Sequence, residues 1–246
     1  MDRLLYVAMT GAAHIDRAQT VHANNLANLG TSGFRADLAQ ARAVQVNGDG
    51  LNTRVFALAE TPASDFRPGP LMETGRDLDV AIRGEGFFAV QLEDGSEAYT
   101  RAGELVVDAL GTLRNGSGHA VLGDGGPITL PPNEHLQIGA DGSITIQPEG
   151  QGSEALVQLD RLRLVRPEPG QIVKGPDGLF RTTDDVPLVS SPDVSVVAGF
   201  IESSNVNAIY EMTAILELSR QFELEVKLMK AAEQNDEAAQ SLVSVN

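Results

Sequence analysis

The chain has 246 residues, of which 42% are apolar, so it can bury the core of one large domain or of two ordinary ones. Its formal charge is −16, from 34 acidic and 18 basic residues, and this acidity disfavours binding to the phosphates of a nucleic acid. Cysteine is absent, which excludes disulfides and thiolate metal sites.

We also expect no membrane insertion. No stretch reaches the roughly 18 consecutive apolar residues that a membrane-spanning helix needs. Residues 1–11 lack the charged and then apolar segments of a cleaved secretion signal. If the protein leaves the cytoplasm, it therefore uses a different route.

The first predicted element is a helix over residues 3–29. Apolar or small side chains recur at steps of three and four, which places them on one helix face. These residues are Leu4, Ala8, Gly11, Ile15, Ala18, His22, Asn25 and Leu29. Because Ala8, Gly11 and Ala18 are small, the face favours close packing against another helix. The pattern ends where Gly30-Thr31-Ser32-Gly33 interrupts it.

Extended structure is predicted between the two ends of the chain. Residues 34–70 read as an extended linker arm, because apolar pieces flank a turn at Asn47–Gly50 and three prolines follow. Residues 71–203 read as a mostly antiparallel β-domain. The alternation from Leu156 to Val165 predicts one strand there, with Leu162 and Leu164 on the same face. Hairpin turns are predicted at Asp94-Gly95, Asp141-Gly142 and Asp177-Gly178.

Residues 204–246 predict a second long helix, and neither Gly nor Pro occurs from Ile201 to Asn246. Its clearest part, residues 205–232, would be about 42 Å long at 1.5 Å per residue. The stripe along one face comprises Met212, Ile215, Ser219, Phe222, Val226 and Met229. Asn205 or Asn207 can cap its first turn, and Glu211 suits the positive end of the helix dipole.

The predicted fold class is α+β: the terminal helices pair as a coiled-coil core, and the β-domain lies between them in sequence. Further leucines widen the C-terminal stripe beyond what one partner helix can cover, which favours contact with other subunits. A head-to-tail contact that does not close would then build a filament or tube. Patterning alone leaves equally open an ordinary α+β monomer whose helices pack on its own β-domain.

No active-site motif is present, so no catalytic, cofactor-binding or metal-binding residue is predicted. His14 and His22 are separated by about 12 Å of helix, too far to share one metal ion. Asp77 and Asp79 flank Leu78 and suggest one alternative, the paired carboxylates of a secreted β-rich hydrolase. A membrane-surface role for the C-terminal helix is disfavoured, because anionic lipids attract basic faces.

Three motifs give the chain a family resemblance. The run Ala23-Asn24-Asn25-Leu26-Ala27-Asn28-Leu29-Gly30-Thr31-Ser32-Gly33-Phe34-Arg35 resembles the N-terminal signature of flagellar basal-body rod and hook proteins, with Arg35 in place of the usual Lys. Tyr99-Thr100-Arg101-Ala102-Gly103 resembles their shared central region. Gly199-Phe200-Ile201-Glu202-Ser203-Ser204-Asn205-Val206-Asn207, followed by Arg220-Gln221-Phe222-Glu223, resembles their C-terminal motif. The match covers essentially the whole chain.

Within the family, the chain is most similar to the proximal-rod type. The segment after Phe34 is short and leads early to Arg67-Pro68-Gly69, whereas the distal-rod type carries an insertion there. The distal-rod type stays the alternative, because it shares most motifs.

The resemblance implies a structural subunit of the basal-body rod in the periplasm. Such a subunit polymerises helically with copies of itself and other rod subunits, and the polymer transmits torque from rotor to hook. The family leaves the cell through the flagellar type III export apparatus, which fits the missing signal and the absence of cysteine. No cofactor is implied.

The resemblance and the helix pattern together give candidate site residues. The expected subunit-interface residues are Leu4, Ile15, Asn24, Asn25, Leu26, Asn28, Asn205, Asn207, Met212, Ile215, Phe222 and Met229. For the asparagines, local capping within one subunit is an equally open alternative. Gly30 and Gly33 are the expected hinge, where a Cβ would clash as the chain leaves the helix.

Overall fold

The structure, a computed structural model, describes residues 3–45, 55–59, 63–150 and 156–244. Its helices are α1 (Arg3–Ala27) and α2 (Ala208–Ser244). The strands of the first half are β1 (Asp37–Leu38), β2 (Ala41–Gln45), β3 (Val55–Ala59), β4 (Ala63–Ser64), β5 (Leu71–Glu73), β6 (Val80–Arg83), β7 (Phe87–Gln91), β8 (Glu97–Thr100), β9 (Leu105–Val107), β10 (Leu113–Asn115) and β11 (Ala120–Gly123). Those of the second half are β12 (Gly126–Pro127), β13 (Asn133–Ile138), β14 (Ser143–Pro148), β15 (Val157–Arg161), β16 (Leu164–Val165), β17 (Ile172–Lys174), β18 (Phe180–Thr182), β19 (Ser195–Ala198) and β20 (Phe200–Glu202).

The two helices pack against each other, as predicted. Helix α1 buries a stripe of mostly small residues, Ala8, Ala12, Ile15 and Ala18. At Gly11 an added Cβ would lie 3.0 Å from a carboxylate oxygen of Glu225, which shows how closely the helices approach. Helix α2 has 37 residues and so extends beyond its predicted clearest part. Nothing in its sequence interrupts the hydrogen-bond ladder there.

One compact unit, here called the helical unit, gathers the described residues within 1–29, 36–65 and 206–246. Besides α1 and α2 it contains two antiparallel strand pairs, β1 with β4 and β2 with β3. The register of the second pair joins Ala41 to Ala59 and Gln45 to Val55. The turn predicted at Asn47–Gly50 lies outside the described residues.

The second unit, here called the β unit, comprises residues 30–35 and the described residues within 66–205. Its nine-stranded sheet has the order β17-β18-β8-β7-β11-β10-β9, with β12 paired to β11 and β16 to β7. A three-stranded sheet, β13-β14-β15, and two strand pairs, β19-β6 and β20-β5, complete it. The described pairings are antiparallel, which confirms the predicted α+β class with a mostly antiparallel central part.

The β unit buries apolar side chains in two clusters. The larger cluster includes Val80, Phe88, Leu113, Ile144 and Leu162. The smaller cluster includes Phe87, Tyr99 and Phe180. The three predicted Asp-Gly turns connect β7 to β8, β13 to β14 and β17 to β18. Each of these turns lets two consecutive strands pair antiparallel.

The single strand predicted from Leu156 to Val165 is wrong, because the chain changes sheets within it. Strand β15 ends at Arg161, and β16 begins at Leu164. Between them, the amide of Leu162 donates to Gly142 and the amide of Arg163 donates to Leu122. Leu162 and Leu164 are nevertheless both buried, as the alternation predicted.

Candidate functional site

Glu202, the last residue of β20, is a buried carboxylate that contacts three distant segments of the β unit. Its Oε1 lies 2.6 Å from Arg35 Nη1 and accepts a hydrogen bond from the amide of Gly69 at 2.8 Å. Its Oε2 accepts a hydrogen bond from Arg101 Nε at 2.7 Å and lies 2.5 Å from Arg101 Nη2 as an ion pair. We call Arg35, Arg101 and Glu202 the Glu202 cluster.

The Glu202 cluster holds two positive charges and one negative charge away from water. The side chains of Arg35, Arg101 and Glu202 are 2%, 1% and 0% exposed. Burial lowers the pKa of Arg101, Glu202 opposes that shift, and the charge of Arg35 lowers the pKa further. Arg35 Nη1 is near enough for an ion pair but is not aligned to donate a hydrogen bond. Since the guanidinium groups repel each other, the shared carboxylate is what allows both to be buried.

The N-terminal motif reaches this cluster through a close backbone approach at Gly33. Gly33 has a φ of +68°, and a Cβ there would lie 2.3 Å from the carbonyl carbon of Arg101. Its amide donates to the backbone carbonyl of Glu202 at 2.7 Å. Lys174 Nζ lies 3.7 Å from the centre of the Phe34 ring and donates to the carbonyl of Arg35 at 2.7 Å. Residues 33–35 are therefore bound through both backbone and side chains.

The helical unit contains a second polar network, which we call the Glu211 cluster: His22, Asn25 and Glu211. Asn25 and Glu211 are buried. Glu211 Oε2 contacts His22 Nδ1, and Glu211 Oε1 accepts a hydrogen bond from Asn25 Nδ2 at 3.2 Å. Asn25 also donates to the carbonyl of Asp37 at 2.9 Å and accepts from its amide at 2.8 Å. One asparagine thus connects α1, α2 and the segment after α1.

Other predicted asparagines make contacts close to the helix ends. Asn207 Oδ1 accepts the amides of Ile209 and Tyr210 at 3.0 and 3.1 Å, so it caps α2 as the sequence suggested. Asn28 Nδ2 donates to the carbonyl of Asn24 at 3.0 Å. Asn205 Nδ2 donates to the carbonyl of Arg67 at 3.0 Å within the β unit.

Comparison with known proteins matches the chain to three flagellar family models. They describe a flagella basal body rod protein at residues 5–35, a flagellar hook protein FlgE/F/G D1 domain at 81–146, and a flagellar basal body rod FlgEFG protein C-terminal region at 197–242. The flagellar basal-body rod proteins FlgF of Salmonella typhimurium and of Escherichia coli are each 38% identical to this chain, over the full length of both partners. FlgF of Caulobacter vibrioides is 33% identical, also over both full lengths.

The chain belongs to the flagellar basal-body rod protein family. It is a FlgF-like structural subunit located in the rod of the flagellar basal body, and these predictions are confirmed. The curated relatives are rod proteins, so the hydrolase alternative based on Asp77 and Asp79 is set aside. In the structure Asp79 is buried 3.5 Å from Arg76, whereas Asp77 is exposed.

The structure shows which contacts the motif residues of this rod protein make. Arg35 ends the N-terminal motif, Arg101 stands in the central one, and Glu202 stands in the C-terminal one; the β unit brings all three together. In the helical unit, Asn25 of the N-terminal motif meets Glu211, which follows the C-terminal motif. The motifs therefore supply the partners of two buried polar networks.

Arg35, Arg101, Glu202 and His22 stand in the motifs and the helix pattern described above, but no site role was predicted for them. The available signal was a charged residue inside an otherwise apolar or glycine-rich motif, as with Glu202 after Gly199-Phe200-Ile201. Such a charge is rarely left unpaired when it is buried. The signal could have indicated that each residue needs a partner, but not which one.

The predicted interface residues have different exposures in the single chain. Ile15 is buried, Leu26, Ile215 and Met229 are half-buried, and Asn24 is exposed. Met212 and Phe222 are 52% and 39% exposed. The side chain of Leu4 lies outside the described part. Their contact with neighbouring subunits stays a prediction.

The two predicted hinge glycines differ. The expected clash of a Cβ occurs at Gly33, as described above. At Gly30 an added Cβ would meet no atom within 4 Å, so the steric reason given for Gly30 is wrong within this chain. Gly33 is required by its backbone conformation and by the closeness of Arg101.

The described residues contain no group of three or more His, Asp or Glu side chains arranged to hold a metal ion. Among these residues, neither helix combines the length and the apolar character that a bilayer crossing requires. In both polar clusters the carboxylate contacts side chains of this chain.

Proposed function

We propose that this chain occupies the proximal rod and polymerises helically there, with copies of itself and with other rod subunits. The observation that carries the proposal is the apolar surface of α2. Ile209, Leu216, Leu224 and Leu228 are 77%, 61%, 58% and 49% exposed, although α2 already packs against α1. Exposed apolar residues along one long helix favour burial against neighbouring chains.

In this proposal the terminal helices form a coiled-coil core of the rod. The interface residues predicted from the sequence, Met212, Ile215, Phe222 and Met229 among them, would then contact neighbours along α2. Many such contacts would make the rod stiff enough to transmit torque from rotor to hook. The domain boundaries proposed from the sequence, at residues 33, 70 and 203, belong to the same hypothesis.

The proximal position is supported by the difference between two sets of relatives. The FlgF proteins of Salmonella typhimurium and Escherichia coli are 38% identical, whereas FlgG of Buchnera aphidicola (Schizaphis graminum) is 29% identical over 94% of the chain. A distal-rod position is the alternative. Immunolabelling of isolated basal bodies along the rod axis would distinguish the two.

Export through the flagellar type III apparatus is the route that we propose for the subunit. It is supported by the absence of cysteine from the sequence, since disulfides cannot form before passage. The chain should appear in the culture medium or rod only in cells with a working export apparatus. The charge of −16 supports a partner set without nucleic acid.

The polymer proposal can be tested with one pair of substitutions. Leu216→Asp places a charge on the exposed face of α2, and Val189→Asp places one on an 85% exposed residue of the β unit. The proposal expects Leu216→Asp to remove the chain from purified basal bodies and to abolish motility, while Val189→Asp retains both. Equal recovery of both variants would contradict a role of α2 in assembly.

A further inference from the structure

The Glu202 cluster joins the first segment of the β unit, residues 30–35, to the segment through which the chain finally leaves that unit. Residues 33–35 enter it from the N-terminal side, and β20 with the following residues 203–205 leaves it toward the C-terminal side. The two segments are adjacent in space, because the amide of Gly33 donates to the carbonyl of Glu202 and the amide of Asn205 to the carbonyl of Phe34.

Neither arginine has a second carboxylate in the cluster. Arg101 also donates through Nη1 to the carbonyl of Gly86 at 2.8 Å, but its ionic partner is Glu202. Arg35 makes its ion pair with the same carboxylate, and its Nε has no hydrogen-bond partner among the described atoms. Without Glu202, two like charges would face each other in a buried site, and such an arrangement is strongly unfavourable.

The reverse dependence follows from the same contacts. Glu202 is fully buried, and the hydrogen bonds and ion pairs that compensate for its lost hydration come from Arg35, Arg101 and the amide of Gly69. Removal of Arg35 would leave the carboxylate with fewer partners and would weaken the packing of β20 against β5.

We propose that Glu202 couples the docking of the two chain ends, so that residues 33–35 bind firmly to the β unit only when residues 200–204 are in place, and the reverse. The cluster then acts as a conformational lock that is complete only when both ends are docked. Coupling of this kind is reciprocal by thermodynamic necessity. It concerns the β unit of one chain and does not depend on whether the chain polymerises.

Amide hydrogen exchange in the full-length chain can test the coupling, because two amides report on it without touching the substituted groups. The Gly33 amide donates to the backbone carbonyl of Glu202, which Glu202→Gln leaves in place. The Ser203 amide donates to the carbonyl of Pro70, which Arg35→Met leaves in place. The Leu113 amide, bonded to Ile128 in the β unit's core, reports global unfolding.

The lock predicts that Glu202→Gln speeds exchange at Gly33 by about tenfold or more, that Arg35→Met speeds exchange at Ser203, and that each of these increases exceeds the increase at Leu113. Glu73→Gln on β5, the strand that pairs with β20, is the matched control and should change neither reporter. Arg35→Lys keeps the charge and should retain most of the protection.

Exchange that rises only in the substituted segment would overturn the coupling. If Glu202→Gln fails to fold, Arg35→Met decides: unchanged exchange at Ser203 contradicts the lock, and an increase there that exceeds the increase at Leu113 supports it. A uniform rise at Gly33, Ser203 and Leu113 in Arg35→Met would also contradict it, because the effect would then be general destabilisation.

Discussion

The β unit and the helical unit bury their apolar residues to very different degrees. In the β unit core side chains such as Phe88, Leu113 and Leu162 are 0–1% exposed, although others such as Leu110 and Val189 are 83% and 85% exposed. In the helical unit α1 buries a stripe of small residues, while α2 leaves Leu216 and Leu224 61% and 58% exposed. The β unit thus builds an extensive core within a single chain, whereas α2 carries apolar surface that we propose neighbouring subunits cover.

The two units also use buried charge differently. The Glu202 cluster places two guanidinium groups around one carboxylate, whereas the Glu211 cluster pairs a carboxylate with a histidine and an amide. Substitutions in the β unit should therefore act mainly on the stability of the chain. Substitutions on the exposed face of α2 should act mainly on assembly.

The largest effect is expected for Glu202→Ala. The change leaves Arg35 and Arg101 buried without a counter-charge, so it should cost roughly 3–5 kcal/mol of the free energy of unfolding. Urea unfolding followed by circular dichroism measures it. Glu73→Ala, on an exposed residue of β5, should cost far less. Equal losses would contradict a large contribution of the Glu202 cluster to the free energy of unfolding.

Truncating one leucine to alanine in each unit tests the contrast between the two units directly. Leu162→Ala removes a side chain that is 0% exposed and should cost about 2–5 kcal/mol. Leu216→Ala should change the free energy of unfolding by less than about 0.5 kcal/mol. It should nevertheless reduce the amount of chain recovered in basal bodies. Similar unfolding energies for both variants would contradict the contrast between the units.

A smaller loss is expected for Gly33→Ala. The residue would have to adopt a left-handed conformation beside the backbone of Arg101, which costs about 2 kcal/mol or more. Gly30→Ala is the matched control, because open space surrounds that position. Thermal unfolding of both variants should therefore show a lowered midpoint only for Gly33→Ala.

Asn25→Ala should cost roughly 1–3 kcal/mol, because the buried Glu211 and the backbone of Asp37 lose hydrogen-bond partners. The loss should appear as faster hydrogen exchange in the first turns of α2. Asn24→Ala, an exposed neighbour on α1, provides the comparison. Unchanged exchange in Asn25→Ala would mean that the Glu211 cluster does not stabilise the helix pair.

The smallest predicted effect is a loss of folding stability at acidic pH. Hydrogen bonds from the Ser143 side chain and amide, and then from Arg161, lower the pKa of Asp141 to about 2. A lowered pKa in the folded state means that the stabilisation is present above the ordinary value of 3.8 and is lost as the pH falls toward 2. Asp141→Asn should flatten this part of the stability profile.

The helices and their apolar faces could be predicted because a period of three to four residues depends on local geometry alone. The Asp-Gly hairpins could be predicted because a two-residue turn also depends on local geometry alone. The strand from Leu156 to Val165 could not, because its break depends on hydrogen bonds that Leu162 and Arg163 donate to the carbonyls of Gly142 and Leu122, which are distant in sequence. Alternation shows which face is buried, not which sheet the chain joins.

For the site, the sequence motifs indicated which segments contribute residues, but not which residues contact each other. Asn207 was predicted as a helix cap because capping acts over two or three residues. The pairing of Arg35 with Glu202 spans most of the chain, and no pattern in one sequence indicates it. The expected clash of a Cβ occurs at Gly33 and not at Gly30, because only the fold determines what surrounds a glycine.

The most direct test of the contrast between the units is hydrogen exchange of the full chain, once as dilute monomer and once in isolated rods. We predict that protection of α2 from Ile209 to Met229 rises strongly in the rod, while that of β7 and β11 is high in both states. Equal protection of α2 in monomer and rod would contradict the proposal that neighbouring subunits cover its apolar face.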